Sequence, residues 1–128
     1  MIMTKEELES KSDFEINELT AIKLGLNISK EQWMHLGDRD ENLVIIDTSK
    51  DSSDIINRTF DTVDYCNKWA DMGPLLLEEL IETAPLCNGN KWKAVVVKYD
   101  KRGNAIHYIS KHKNPLRAAA IVYLLRNG

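Results

Sequence analysis

Lys91-Trp92-Lys93-Ala94-Val95-Val96-Val97-Lys98-Tyr99, then Asp100-Lys101-Arg102-Gly103-Asn104, then Ala105-Ile106-His107-Tyr108-Ile109-Ser110, is the stretch that decides the fold. β-branched and aromatic residues dominate both flanks, and such side chains fit a pleated, half-buried surface. The five residues between them carry a glycine with Asp and Asn, which reads as a hairpin loop. Trp92 alternates with Lys91 and Lys93, so on a strand its ring points to the opposite face. If the lysines face outward, Trp92 belongs to the core.

Beyond the hairpin, Asn114-Pro115 supplies a helix cap followed by proline at the first helical position. Leu116 to Leu125 is apolar on nearly every face, which predicts a substantially buried helix. Before the hairpin, Asp71-Met72-Gly73-Pro74 opens a second helix. Leu76, Leu77, Leu80, Ile81 and Ala84 form one face of it, and Pro85 ends it. Leu43 to Ile46 reads as a strand bounded by polar residues. Ser12-Asp13-Phe14-Glu15 has capping-box spacing and predicts a helix over 13–24, with Gly25 as its stop. Thr4-Lys5-Glu6-Glu7 has the same spacing and allows a short helical turn before it. Ser29 to Gln32 caps a short helix carrying Trp33, Met34 and Leu36. Residues 47–62 have loop chemistry, with Ile55-Ile56 as their apolar anchor.

The order α, β, α, β, β, α predicts an α+β fold: a small two-layer domain, with the hairpin and a further strand packed on about three helices. The 128 residues fit one domain over 1–128, within which 26–62 reads as an insertion or irregular segment. No apolar run approaches the ~20 residues of a membrane span, and the N-terminus lacks a secretory pattern. Cys66 and Cys87 form no C-x-x-C pair and read as reduced thiols of a cytoplasmic protein.

The net charge of −3 conceals a division. Residues 1–87 carry eight Lys or Arg against nineteen Asp or Glu, a net of −11. Residues 88–128 carry nine basic residues against Asp100 alone, a net of +8. Either the two parts neutralise each other across the fold, or one of them is an interaction surface. Lys91, Lys93, Lys98, Lys101, Arg102, Lys111, Lys113 and Arg117 cluster in the hairpin and at the start of the last helix. They are the candidate interaction surface. With Trp92, Tyr99 and Tyr108 interleaved, they also have the composition of a single-stranded nucleic-acid site.

Nothing in the chain specifies a reaction, a metal or a cofactor, and none is expected. His35, His107 and His112 lack zinc-ligand spacing with either cysteine. The acidic residues Asp38, Asp40, Glu41, Asp47, Asp51, Asp54, Asp61 and Asp64 read as solvated loop. A small enzyme would have to use Cys66, or Asp64 with Asn67, in a sheltered cleft.

Four segments carry a resemblance: Ser12-Asp13-Phe14-Glu15-Ile16-Asn17; Asp64-Tyr65-Cys66-Asn67-Lys68-Trp69-Ala70-Asp71 running into Gly73-Pro74; Trp92 with Ala94; and Asn114-Pro115-Leu116-Arg117-Ala118-Ala119 with Ile121-Val122. They resemble the NinX-like family of small bacteriophage and prophage proteins, the Asn114 to Ala119 block most specifically. Residues 26–62 lie outside the resemblance. It implies phage origin and expression in the cytoplasm of the bacterial host, with no established reaction or cofactor. The residues that carry it also have structural roles to fill. Asn114 caps, Pro115 starts the helix, Arg117 pairs with a carboxylate, and Asn67, Trp69 and Asp71 fix the turn into the helix beginning near 71.

Together these readings favour a non-enzymatic phage accessory protein that binds a host or antiviral-defence protein, one version being a CRISPR antagonist. Nucleic-acid binding through the basic C-terminal third is the alternative, and a small enzyme comes third. No membrane partner is expected.

Overall fold

A computed structural model describes residues 3–29, 42–49, 59–87 and 89–128. The short helix read from Ser29 onward, the Ile55-Ile56 anchor, His35, and the acidic residues Asp38, Asp40, Glu41, Asp51 and Asp54 lie outside the described residues.

The chain is α+β. The described elements are α1 (Lys5–Glu9), α2 (Asp13–Lys23), β1 (Val44–Asp47), β2 (Phe60–Val63), α3 (Trp69–Glu78), β3 (Glu82–Pro85), β4 (Trp92–Tyr99), β5 (Ala105–His112) and α4 (Pro115–Asn127). They form two antiparallel sheets, β1-β2 and β3-β4-β5.

Both N-terminal helices start where their caps lie. The Thr4 hydroxyl accepts from the Glu7 amide, which makes the anticipated turn a helix. Ser12 and Glu15 close a full capping box. This reciprocal bonding holds the Glu15 carboxyl below the usual carboxylate range, chiefly through its hydrogen bond from the Ser12 backbone. α2 ends in a Schellman turn: Leu26 donates to the Ala21 carbonyl and Gly25 to that of Ile22, with Gly25 at φ 81°.

Two expectations are corrected. The second helix starts earlier, at Trp69, and stops at Glu78 rather than continuing to Ala84. Leu80 takes φ 56° and Ile81 donates to the Leu76 carbonyl, so the chain leaves the helix through a Schellman turn without glycine. The apolar face read over 76–84 is thereby split. Leu77 and Leu80 are 80% and 81% exposed, while Ile81 enters the core. Residues 82–85 then form β3 against β4. The second correction is β2. Residues 47–62 read as loop, yet Phe60–Val63 pairs along its full length with β1. A bridge from Ile28 to Ile46 adds residues 27–29 on the side of β1 away from β2.

The hairpin is as anticipated. β4 and β5 pair over eight residues, and the Asp100 carboxylate accepts the Arg102 and Asn104 amides across the loop. Gly103 supplies the positive φ that this loop needs. Trp92, Ala94 and Val96 lie on the face that meets α4, with His112, Ser110 and Tyr108 opposite them. α4 is buried at every position from Leu116 to Leu124. It packs against β4, β5 and α2, with smaller contacts to α1, α3 and β3. Ala94, Ser110, Ala118, Ala119 and Ala120, all fully buried, are small enough to let helix and sheet approach closely. Among the described residues no helix is long and apolar enough to cross a membrane.

Candidate functional site

Two places in the fold gather the residues singled out in the sequence. One is buried, the other exposed.

The buried one joins three segments that are distant in sequence: the first turns of α2, the turn between β2 and α3, and the start of α4. Asp64 opens the turn, and its carbonyl accepts the Lys68 amide at 3.0 Å. Its own amide donates to Asp71 Oδ2 at 2.9 Å, which ties the turn to the helix that follows. The Asp64 carboxylate, fully buried, accepts from Asn17 Nδ2 at 2.8 Å and from Asn67 Nδ2 at 3.1 Å. Asn17 uses its second amide hydrogen on the Asn42 carbonyl, and its oxygen accepts the Cys66 amide. Asn67 also reaches Asp13 Oδ2 at 3.2 Å. Asp13 in turn is paired with Arg117, Nη1 to Oδ1 at 2.6 Å. The second guanidinium nitrogen caps the Glu9 and Lys11 carbonyls between α1 and α2. Asn114 accepts the Leu116 amide as the cap of α4 and donates to the Asn67 oxygen and the Cys66 carbonyl.

Each side-chain amide hydrogen of Asn17, Asn67 and Asn114 thus has an acceptor. The network is buried at Asn17, Asp64 and Arg117 and reaches solvent at Asn67, and a satisfied network of this kind rigidifies and specifies a structure. The Cys66 thiol is fully buried, and burial, with the nearby Asp13 carboxylate, pushes its pKa far up, so it is no thiolate at neutral pH. Tyr65, also buried, has its phenol pushed up to about 12 by burial and then by Asp71. His112 Nδ1 accepts the Asn114 amide at 2.9 Å, which places the neutral ring's proton on Nε2. Burial first, then the Arg117 charge, lowers its pKa. Among the described residues no group of three or more His, Cys, Asp or Glu is placed to hold a metal ion.

The exposed place is the hairpin. Of the eight cations assigned to a surface from the sequence, Arg117 does not belong there. Its side chain is 7% exposed and turned inward, because a cation at this point pairs with the half-buried Asp13 carboxylate and donates to the Glu9 and Lys11 carbonyls at once. The nine basic residues of 88–128 include two that pair with the acidic part, Arg117 with Asp13 and Arg126 with Glu79. The other seven form no ion pair among the described residues.

These seven cations occupy three levels of the hairpin. Lys93 and Lys111 are directly opposed on the face away from α4, with Lys91 and Lys113 beside them in sequence. Lys101 and Arg102 lie in the loop, about 20 Å further along at the strand rise. Lys98 projects on the other face. Between the ends, the open face carries Val95, Ile109, Val97, His107 and Tyr99, the last 68% exposed.

The family model for Bacteriophage P22, NinX matches residues 10–127. The chain belongs to this bacteriophage family. The NinX match runs across both places, the buried network and the hairpin alike. No curated protein matches the chain.

The residues that carried the resemblance separate by position. Asp64, Cys66, Asn67, Asp71, Asn114 and Arg117 converge in the buried network. Asn114 caps, Pro115 starts α4, and Arg117 pairs with a carboxylate, as anticipated. Tyr65 is buried beside the network and Trp92 is half-buried on the core face. Trp69 takes no part in fixing the turn, since it is exposed on the first turn of α3. Asp13 and Asn17 were not singled out as site residues, though both are central. Asn17 had a signal: a poor helix former placed mid-helix next to Ile16, at the spacing of the buried face.

Proposed function

We propose that this NinX-family chain is a phage accessory protein that acts by binding, and that its ligand is a host or antiviral-defence protein met in the bacterial cytoplasm. The observation that carries the reading is the open hairpin face. Its centre is apolar, at Val95, Val97 and Ile109, and its ends are cationic, with no ion pair among the described residues. An apolar centre within a charged rim is the anatomy of a protein interface. The seven cations contribute little to the fold, and a basic rim steers association with an acidic surface and selects against basic ones. The buried network has a different task, holding α4 and the sheet it supports in one position.

The test is capture of proteins from bacterial lysate on the immobilised chain, at low and raised salt. A reproducible protein partner released by salt is expected. No reproducible partner under several conditions contradicts the proposal.

One observation favours a second reading, nucleic-acid binding. Tyr99 is a solvent-facing ring next to Lys101 and Arg102, and rings flanked by cations bind single strands by stacking. That reading requires a gel shift with single-stranded DNA or RNA that weakens steeply with salt. A blank gel at low salt removes it.

A further inference from the structure

The sheet β3-β4-β5 has two edges, and they differ. The β3 edge is four residues long and ends in Pro85. Short edges and proline are how proteins stop further strands from pairing. The β5 edge is eight residues long and has no proline. Its polarity follows from the register. Asp100 donates its amide inward to the Asn104 carbonyl, while the Asn104 amide turns to the Asp100 carboxylate, so this is a hydrogen-bonded position of the ladder. Antiparallel pairs alternate, so Ile106, Tyr108, Ser110 and His112 also bond inward to β4. Ala105, His107, Ile109 and Lys111 therefore present their N–H and C=O groups to the outer edge. Among the described residues none of these groups has a backbone partner.

The side chains of the same four residues lie on the open face. There Lys111 faces Lys93 in a non-hydrogen-bonded pair, the closer of the two pair types, where like charges repel. A strand added outside β5 would put its own side chain next to Lys111 on this face. A carboxylate there relieves the repulsion, and an apolar residue two positions along meets Ile109.

We infer that the β5 edge accepts an extended, acidic segment of a partner protein as a fourth strand, with alternate carboxylate and apolar side chains on the open face. This rests on the protein-binding reading above and names the form of the partner. Main-chain pairing of this kind supplies affinity, and the side chains of alternate residues supply selectivity.

The probes are two synthetic peptides of about ten residues, repeats of Glu-Thr-Val-Thr in one and of Lys-Thr-Val-Thr in the other, so that charged and apolar side chains alternate along one face of the strand; each is added to the full chain. Amide hydrogen exchange is read by NMR. The Glu peptide is expected to slow exchange at Ala105, His107, Ile109 and Lys111 by about tenfold or more, since these amides gain partners. Ile106, Tyr108 and Ser110, already bonded to β4, should change little, and the Lys peptide should do nothing. Lys111→Glu should reverse the preference between the peptides. His107→Pro removes one outward N–H and no bond to β4, so it should abolish protection with the hairpin intact. Protection confined to the loop amides, equal effects of both peptides, or no effect of either overturns strand addition. In that event, a lysate partner still held by the immobilised chain and lost on Lys101→Glu with Arg102→Glu would leave hairpin binding standing. If that partner is absent as well, both readings fall.

Discussion

The buried network and the basic hairpin are built on opposite principles. In the network, Asp13, Asn17, Asp64, Asn67, Asn114 and Arg117 hold one another through hydrogen bonds that leave no amide hydrogen without an acceptor. In the hairpin, seven cations form no ion pair among the described residues, and Tyr99 is exposed. The most motif-like residues therefore serve the fold, and the plainer, charge-rich ones are left available to a partner. A specific sequence block need not mark a functional site. Here it marks the point where three distant segments must be fastened.

The sharpest way to break this contrast is Asn17→Ala. It removes one of the hydrogen bonds to the buried Asp64 carboxylate and leaves the buried Cys66 amide without its side-chain acceptor. Each unsatisfied buried group costs about 1–3 kcal/mol, more when charged, so a loss of about 4 kcal/mol is expected in urea denaturation. A loss under about 1 kcal/mol would mean that the network is not what fastens the segments. Asn114→Ala comes next, at about 2 kcal/mol: about 1 for the cap and the rest for the link to Asn67 and Cys66. Circular dichroism should show α4 retained at the lower stability.

A smaller effect is expected with pH. The fold favours neutral His112, whose pKa lies below its ordinary value of 6.5. The unfolded chain then binds this proton more readily than the folded one, so stability is full above 6.5 and falls as pH drops through the lower folded value. Protonation at Nδ1 also breaks the bond from the Asn114 amide. NMR titration should place His112 below the ordinary histidine value, and His112→Gln should flatten this part of the stability profile. The smallest effect has the opposite sign. Lys93→Glu replaces a like pair with Lys111 by an ion pair and should stabilise the chain by about 0.5 kcal/mol, while weakening partner binding. Destabilisation would show that the hairpin charges do serve the fold.

Much of the fold was legible in the sequence, for identifiable reasons. Ser12 and Glu15, Gly25, Asn114-Pro115 and the 100–104 loop are local signals whose chemistry is complete within a few residues. β3 was hidden because Ile81 and Ala84 continue a helical spacing, and Leu80 adopts a positive φ that a glycine would have announced. β2 was hidden because Asp61 and Thr62 resemble loop, while its pairing with β1 bridges a long segment. The network was legible only in parts. The sequence assigned Arg117 to a carboxylate, but that carboxylate is Asp13, 104 positions away. The same separation hid the reason that Arg117 leaves the surface. Only the hairpin's charges could be read directly, since exposure needs no partner.

One paired measurement bears most directly on the division of labour between the two regions. Lys93, Lys101, Arg102 and Lys111 are changed together to Glu in one variant and Asn17 to Ala in another, and each is followed by urea denaturation and by capture of partners from bacterial lysate. The charge-reversed hairpin should keep its denaturation midpoint and lose its partner. Asn17→Ala should lose stability, yet keep the partner at temperatures where it remains folded. A charge-reversed hairpin that unfolds, or that still holds the same partner, would contradict this division.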